Sequence, residues 1–346
     1  MSRQRSPRAV GPQPARAPRL VDVARVAQLS PITVSRALRE PHKVSPAARE
    51  RVRAAVAQTG YVPDLVASSL TSRRTRLVGL VIPTITASIY AETVAGLSEV
   101  LRANGFEALI GDSGYALDGE AQLVAAFLGR RADGIVLSNV EHADATRGLL
   151  GRARLPVVET GNLTANPIDM VVGFSNYDAA RAMMRHLVDR GHRAIGFVGA
   201  ATVGNAQASD RRRAYDDAVR EHGLAQAPTL AVECPSEVGE GARALLRIVD
   251  AHPGCTALFA ASEVRAIGAL LECQRRAWKV PDRIAIAGFN DAGLGAWLVP
   301  ALTTVRIPRA EIGRRAAQMI LDRLEGRDIP DRVVDVGYEI VVRESA

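Results

Sequence analysis

The fold of the first part of the chain is decided by residues 20–38, which read LVDVARVAQLSPITVSRAL. A first helix is predicted over about residues 21–27, and a tight turn follows it. Ser30 can cap the next helix, and Pro31 suits the first helical position because that position needs no amide hydrogen. A second helix is predicted over residues 32–38. Two helices of about eight residues, joined by about three, are typical of a helix-turn-helix.

A third helix completes this small unit. Ser45 and Pro46 repeat the pattern of a cap followed by proline, and the helix is predicted to run to about Thr59. Gly60 ends it, because glycine readily adopts the left-handed conformation found after helices. Residues 19–64 are therefore expected to form one all-helical domain.

The charge of the chain is unevenly distributed. Residues 1–76 carry 15 Lys and Arg against 4 Asp and Glu, a net charge of +11, whereas residues 77–346 have a net charge of −4. Residues 1–18 are rich in proline and look disordered, but residues 19–76 keep 11 basic against 4 acidic side chains without them. A basic head on a slightly acidic body predicts that only the head meets a polyanion.

From Leu77 onward, short apolar runs alternate with amphipathic helical stretches, which predicts an α/β body with two parallel sheets. The predicted strands are Leu77–Ile82, Glu107–Ile110, Gly134–Ser138, Val157–Val158, Ala194–Val198, Ala257–Ala260, Ile284–Ala287 and a terminal strand at 336–342. The predicted helices lie near 90–103, 118–129, 177–190, 209–222, 239–251, 263–276 and 310–325.

Patterns that indicate an enzyme are missing from the sequence. It has no phosphate-binding loop, no nucleophile elbow, and no histidine spacing typical of a metal site. The three cysteines are odd in number and far apart, so buried free thiols are expected. No apolar run is long enough for a membrane span and no secretory signal is recognised. We therefore expect a cytoplasmic protein without catalytic residues, metal or cofactor.

Several motifs, in order and at matching spacing, resemble the LacI/GalR family of bacterial repressors over residues 19–346. They are the stretch quoted above, VSPAARERVRAAVAQTGYVPD, GLVIP, RRADGIVLS, RGHRAIGFVG, KVPDRIAIAGFND and PALTTVRIP. The pieces VVGFSNYDAAR and LECQRRAWKVPDRIAIAGF look most like gluconate-type repressors. The resemblance implies a transcriptional repressor that binds a palindromic operator as a homodimer and is released from it by a small effector.

The resemblance also implies which residues touch double-stranded DNA. In the family, the second helix of the helix-turn-helix enters the major groove, where an arginine can bond guanine and an apolar side chain can touch a thymine methyl group. The matching DNA-binding positions are Arg19, Ser30, Pro31, Ile32, Thr33, Ser35, Arg36, Lys43 and Tyr61. Two alternatives stay open: Arg36 as a solvated surface side chain, and Ile32 packed inside the domain. The family's glycine in the turn is replaced by Gln28.

Residues 65–76 resemble the family's hinge helix and linker. Leu70 matches the leucine that inserts into the minor groove, and Ala67 would face the DNA or the partner hinge. An ordinary linker leucine is the alternative.

Residues 77–346 resemble a periplasmic sugar-binding fold, in which the ligand lies in a cleft between two subdomains. The first is expected over about 77–174 and 305–336, and the second over about 175–304 and 337–346. The implied ligand-binding residues are Tyr90, Glu159, Arg211, Ser262, Glu263 and Asn290.

Several of these positions depart from the common neutral-sugar pattern. Asn290 stands where many relatives carry Asp, and Ser262-Glu263 replaces a common Asn-Asp. The likeness to gluconate-type repressors favours a sugar acid such as gluconate or a ketogluconate, with Arg211 as the carboxylate partner. A neutral-sugar effector, or a sugar carrier that does not bind DNA, are the alternatives.

Overall fold

The computed structural model describes residues 16–62 and 74–346. The chain separates into two compact units, with the division between Thr75 and Arg76. The hinge positions Ala67 and Leu70 lie outside the described residues, as does most of the N-terminal basic stretch.

The described part of the first unit, residues 16–62 and 74–75, contains the helices α1 (Leu20–Ala27), α2 (Pro31–Arg39) and α3 (Pro46–Thr59), with a short 3-10 helix at Pro41–Lys43. Each predicted helix is confirmed to within one or two residues. Their apolar sides enclose a small core built from Val23, Ala24, Ala27, Val34, Ala37, Val52 and Ala55.

The predicted caps are also present. Ser30 Oγ accepts a hydrogen bond of 3.1 Å from the amide of Thr33, and Ser45 Oγ accepts one of 3.3 Å from the amide of Ala48. Gly60 has a φ of 65° and closes α3. Caps of this kind each stabilise a helix by about 1 kcal/mol, so these sequence signals define where α2 and α3 begin.

The second unit alternates strands and helices. The strands are β1 (Leu77–Ile82), β2 (Glu107–Asp112), β3 (Gly134–Leu137), β4 (Val157–Thr160), β5 (Met170–Gly173), β6 (Ile195–Gly199), β7 (Ala231–Glu233), β8 (Ala257–Ala260), β9 (Ala285–Asn290), β10 (Thr303–Arg306), β11 (Val333–Asp335) and β12 (Glu339–Val341). The helices are α4 (Ile89–Ala103), α5 (Leu117–Gly129), α6 (Asp144–Ala153), α7 (Asn176–Asp189), α8 (Ala206–Glu221), α9 (Val238–Ala251), α10 (Glu263–Arg275) and α11 (Arg309–Leu324), with short 3-10 helices at Pro228–Leu230 and Gly295–Trp297.

Two six-stranded sheets organise these elements, as the sequence predicted. The first has the order β11-β5-β4-β3-β1-β2 and is parallel throughout. The second has the order β12-β10-β9-β8-β6-β7 and is parallel except for β12, which runs antiparallel to β10 at the edge. The strands β5, β7, β10 and β11 and the helix α6 were missed by the sequence reading.

The chain passes between the two sheets three times: after β5, after β10 and after β11. One core of buried side chains is therefore shared by both sheets. Four phenylalanine rings contact one another in series through this core, in the order Phe174, Phe289, Phe259 and Phe197, with ring centroids 5.7 to 6.4 Å apart. Such aromatic contacts favour a fixed packing of the core over a fluid one.

Helices α4 and α11 approach each other at two glycines. A Cβ atom on Gly313 would lie 2.1 Å from the carbonyl oxygen of Thr93, and one on Gly96 would lie 2.1 Å from that of Ala310. The backbones therefore touch directly, and α11 is held against the first sheet.

The expectation for the cysteines is confirmed, because Cys234, Cys255 and Cys273 are buried and free. Within residues 16–62 and 74–346, none of the helices combines the length and apolarity that crossing a membrane requires.

Candidate nucleic-acid interface and ligand cavity

Helix α2 presents Ile32 and Arg36 on one exposed face. They are four residues apart, which places them one above the other on a helix. Ile32 is 72% exposed, whereas Val34 and Ala37 turn into the core. The alternative that Ile32 packs inside the domain is thus wrong. Arg36 is exposed, and its guanidinium forms no hydrogen bond or ion pair with the part of the chain that the structure describes, so its five donors are available to a base edge.

The turn before α2 is held by a side chain from α3. Gln28 has a φ of 50°, a left-handed conformation that suits glycine better. The guanidinium of Arg51 donates hydrogen bonds of 2.6 Å to the carbonyl of Ala27 and 2.9 Å to that of Gln28. A charge-assisted bond of this type contributes about 1.5–3 kcal/mol, enough to offset the strain of a non-glycine residue in this turn.

Other predicted DNA-binding residues surround the beginning of α2. Pro31 is exposed, Thr33 and Ser35 are half-buried, and the Ser30 hydroxyl lies 2.8 Å from the Thr33 hydroxyl. Because the first amides of a helix carry a partial positive charge, this end of α2 suits a phosphate group.

The three remaining positions lie elsewhere on the unit. Arg19 is exposed at the N-cap of α1, and Lys43 is exposed but paired with Glu40 at 2.8 Å. Tyr61 is half-buried against the core.

A cavity of about 360 Å³ lies at the carboxyl ends of the strands of both sheets. This is the edge at which open parallel sheets bind ligands, and the volume falls in the usual range of about 300–1,000 Å³ for small-molecule sites. One wall, called here the first wall, belongs to the first sheet and includes Tyr90, Ser113, Tyr115, Glu120, Ser138 and Asn139. The second wall belongs to the second sheet and includes Asn205, Gln207, Arg211, Ser262, Glu263, Arg265 and Asn290.

Arg211 lies on the second wall and is 8% exposed. Its Nε donates to Asn176 Oδ1 at 2.9 Å, and one Nη donates to the carbonyl of Ala261 at 2.8 Å. The other Nη donates weakly to Gln207 at 3.4 Å, and the guanidinium lies over the ring of Phe289. Burial, with a contribution from nearby Arg309, lowers the pKa of Arg211 to about 9. The arginine stays cationic at neutral pH, at an energetic cost that a bound anion would relieve.

Two further buried arginines lie beside Arg211. Arg265 donates to the carbonyl of Cys234 at 2.6 Å and to the Ser262 hydroxyl at 3.0 Å. Arg309 donates to Asn290 Oδ1 at 2.5 Å, and its Nε is buried without a hydrogen-bond partner among the described residues. Burial lowers the pKa of both. Within residues 16–62 and 74–346, none of the three arginines forms an ion pair with a carboxylate. Arg211 and Arg265 line the cavity, and Arg309 reaches it through its hydrogen bond to Asn290.

Four predicted ligand-binding residues, besides Arg211, line this cavity: Tyr90, Ser262, Glu263 and Asn290. Ser262 caps α10, and both Glu263 oxygens accept hydrogen bonds of 2.7 Å from the amides of Ala292 and Gly295. The hydrogen bonds of Ser262 and Glu263 thus hold the backbone of the second wall in place, and their oxygens are less available to a ligand. Asn290 accepts a hydrogen bond through Oδ1, which leaves its amide nitrogen to donate to a ligand. Burial raises the pKa of Tyr90, so its hydroxyl stays protonated.

Glu159 is the predicted ligand-binding residue that the structure places elsewhere. Its strand was predicted to end at Val158, but β4 continues to Thr160, and Glu159 is completely buried within it. Its carboxylate receives a hydrogen bond of 2.5 Å from the amide of Ile168 and lies 3.1 Å from His142 Nε2. Glu159 does not line the cavity: it is connected to the lining residue Glu120 through His142, whose other nitrogen lies 2.8 Å from Glu120.

Both parts of the chain match known protein families. Residues 19–64 match the lacI family of bacterial regulatory proteins, and residues 184–346 match the periplasmic binding protein-like domain. The HTH-type transcriptional regulator GntR of Escherichia coli is 31% identical over 93% of this chain and 97% of that protein. The GntR of Pseudomonas aeruginosa is 33% identical over 95% of both. The chain belongs to the lacI family of bacterial regulatory proteins.

A solved structure supports the assignment of this chain to the family. A LacI-family transcriptional regulator from Silicibacter pomeroyi superposes with a TM-score of 0.86 at 30% identity, over 94% of this chain and 98% of that one. The chain is thus a DNA-binding transcriptional repressor and not an enzyme, and its likeness to the gluconate-type members is confirmed.

The sequence reading of this LacI-family member missed Glu120, His142, Arg265 and Arg309. Glu120, Arg265 and Arg309 stand in the first turn of a helix that follows a strand. The sequence prediction considered residues directly after a strand. Considering the first turn of the following helix as well would have identified these three residues. His142 has no such signal, because it lies in a loop and is positioned only by the carboxylates around it.

Proposed function

We propose that this repressor is released from its operator by a sugar acid such as gluconate or a ketogluconate. The observation that carries the proposal is the group of three buried arginines, Arg211, Arg265 and Arg309, with no ion-paired carboxylate among the described residues. Buried charges are normally paired, because an isolated charge in a protein interior is costly. A ligand carboxylate would supply the missing partner, and the fork of Arg211 matches its geometry.

Asn290 supports an acid over a neutral sugar as the effector. Where relatives carry Asp at this position, a carboxylate would neutralise Arg309, whereas the amide of Asn290 accepts a hydrogen bond from Arg309 without cancelling its charge. The positive charge thus stays available to the ligand. The isosteric change Asn290→Asp should convert the cavity into one that prefers neutral sugars.

Calorimetry with purified full-length protein tests the effector. We expect heat with gluconate or a ketogluconate and none with glucose. Asn290→Asp should weaken binding of the acid at least about tenfold, because it adds a negative charge beside the ligand carboxylate. Asn104→Asp is the matched control, since Asn104 is exposed at the end of α4 and makes the same change away from the cavity. Absence of heat with every sugar acid would discard the acid, and an unchanged affinity in Asn290→Asp would discard the role proposed for Asn290.

We propose that residues 19–64 read the DNA, that residues 65–76 form the hinge, and that residues 77–346 bind the effector and dimerise. The first subdomain would comprise about 77–174 and 305–336. The effector would change the equilibrium between two conformations because it binds one of them more tightly. Repression would be relieved because the conformation that the effector favours has the lower affinity for DNA. We expect this release to take place in the bacterial cytoplasm. A gel shift on the promoter region of its own gene, with and without the acid, measures it in vitro.

A homodimer is supported by an exposed apolar patch formed by Leu294, Trp297 and Val299, in which Trp297 is 85% exposed. Large exposed apolar side chains that lie together in sequence mark interaction surfaces. Two-fold symmetry of the protein would then require a palindromic operator. Trp297→Glu should give a monomer in sedimentation and weaken operator binding, while an unchanged dimer would place the interface elsewhere.

The hinge proposal is tested by Leu70→Ala. If the leucine inserts between base pairs, operator affinity should fall at least about tenfold, because the bent DNA loses the contact that offsets unstacking. An unchanged affinity would make Leu70 an ordinary linker residue.

A further inference from the structure

We propose that Glu120 is a specificity-determining residue that accepts a hydrogen bond from a hydroxyl group at the far end of the effector and excludes ligands with a second anionic group. Diacids and phosphorylated sugar acids would thus be rejected, and the effector would be a sugar acid with a single negative charge. The inference rests on the proposed function, since it describes the end of the ligand opposite the arginines.

Glu120 stands in the first turn of α5 and lines the first wall of the cavity. One of its oxygens lies 2.8 Å from His142 Nδ1. The other accepts no hydrogen bond from the residues that the structure describes. A carboxylate is an acceptor only, so the natural partner of this free oxygen is a ligand hydroxyl.

Buried His142 fixes the charge and the orientation of Glu120. The imidazole lies between Glu120 at 2.8 Å and Glu159 at 3.1 Å, and its side chain is fully buried. Burial alone lowers the pKa of His142, but the two hydrogen bonds and the two negative charges together raise it to about 9. The three groups therefore carry one positive and two negative charges at neutral pH. This group has a net charge of −1 and can hold a hydroxyl but not a second anion.

The two walls of the cavity have opposite polarity. The basic residues among its lining, Arg211 and Arg265, both belong to the second wall, and none of the described lining residues of the first wall is basic. Two carboxylates also line the second wall: Glu237 is exposed to solvent and screened, and both oxygens of buried Glu263 accept hydrogen bonds from the amides of Ala292 and Gly295 and so turn away from the ligand. A second anionic group placed at the first wall would face the Glu120 carboxylate, and the cationic His142 beside it is already shared between Glu120 and Glu159. Like charges in this arrangement are strongly unfavourable.

Sites built to bind a hydroxyl discriminate strongly. When the expected hydroxyl is replaced, the buried polar group of the protein loses its partner as well as gaining a clash, and selectivity of several orders of magnitude is common. Glu120 thus selects for a hydroxyl at the far end of the ligand, whereas the arginines select only for a carboxylate at the near end.

A binding comparison with three ligands tests the proposal. Calorimetry would compare wild type and Glu120→Gln with gluconate, with 6-phosphogluconate and with glucarate, which has a carboxylate in place of the terminal hydroxymethyl group. We expect wild type to prefer gluconate over both dianions by at least about thirtyfold. In Glu120→Gln that preference should shrink at least about tenfold, because the neutral amide removes the repulsion.

The matched control is Asp118→Asn. Asp118 lies in the same first turn of α5 and loses the same charge, but it is exposed and does not line the cavity. Its preference should equal that of wild type. If Glu120 merely held the loop around His142, Glu120→Gln would change all three affinities by one common factor, which would overturn the proposal.

The remaining outcomes are also decisive. If wild type bound glucarate or 6-phosphogluconate as tightly as gluconate, the proposal would be overturned while the sugar-acid effector stood, even if Glu120→Gln failed to fold. If wild type bound no acid but responded to glucose, the proposed function itself would fall, and the filter with it.

Discussion

The guanidinium carbon of Arg211 lies 4.3 Å from the centroid of the Phe289 ring. Phe289 is completely buried in β9, so the ring is a rigid support for the planar cation. Stacking of this kind contributes about 2 kcal/mol when the pair is desolvated. It keeps the guanidinium edge, rather than its face, directed at hydrogen-bond acceptors. The ring thus positions the arginine that the proposed function assigns to the ligand carboxylate.

Replacing Arg211 should separate charge from geometry. Arg211→Lys keeps the charge but loses the fork and the stacking, and we expect sugar-acid affinity to fall about tenfold or more. Arg211→Gln, which loses both, should lower it at least a further tenfold. Calorimetry with gluconate measures both, and circular dichroism checks that the variants fold. Equal affinities for wild type and Arg211→Lys would show that the fork is not used.

On the DNA-reading face, Arg36→Ala should reduce sequence discrimination. A bidentate contact to guanine is worth about 1–3 kcal/mol, so operator affinity should fall several-fold to about a hundredfold, with scrambled DNA affected far less. Arg53→Ala is the control, because Arg53 is exposed and paired with Glu50 at 2.9 Å. It should change both affinities by a similar small factor. Fluorescence anisotropy at fixed salt gives the ratio, and an unchanged ratio in Arg36→Ala would make Arg36 a solvated side chain.

The charged state of His142 predicts how stability depends on pH. Its pKa is raised from 6.5 to about 9 in the folded state, so between these values the folded state binds a proton that the unfolded state has lost. The resulting contribution, on the order of 3 kcal/mol, is complete below pH 6.5 and is lost as the pH rises through about 9. Urea unfolding from pH 6 to 10 should show this loss in wild type, and His142→Gln should lack it. Parallel curves for the two proteins would contradict the assignment.

The glycine contact between α4 and α11 predicts a stability difference between two similar substitutions. Gly313→Ala should destabilise by about 1–3 kcal/mol, because the new methyl group would overlap the carbonyl of Thr93 and push the helices apart. Gly151→Ala, in exposed α6 with nothing within 4 Å of the added carbon, should instead stabilise by about 0.5–1 kcal/mol. Thermal unfolding of both variants checks the sign of each change.

The sequence was most informative where structure depends on local signals. Caps such as Ser30 and Ser45 located the helices of the first unit, because each signal acts within three residues of itself. Short strands such as β7 and β11, each three residues long, were missed. They exist because a neighbouring strand supplies hydrogen bonds, and that information lies far away along the chain.

The cavity could be predicted in part for the same reason. Residues directly after strands, such as Asn290, were found because parallel strands end at one edge. The buried network of Glu120, His142 and Glu159 brings together residues 17 to 22 positions apart, and no local pattern indicates it. Glu159 was misplaced because a strand end shifted by two residues changes whether a side chain reaches the cavity.

The hydrogen bonds from Arg51 to the carbonyls of Ala27 and Gln28 have a consequence for how this head could have evolved. In evolutionary terms, a glycine at position 28 would make the bracing arginine dispensable, whereas glutamine makes it necessary. The arginine would therefore have to be acquired before the glycine was lost, so the two substitutions could be accepted in one order only. The same dependence makes the pair epistatic today: Arg51→Ala should be tolerated in a protein that also carries Gln28→Gly and harmful in one that does not.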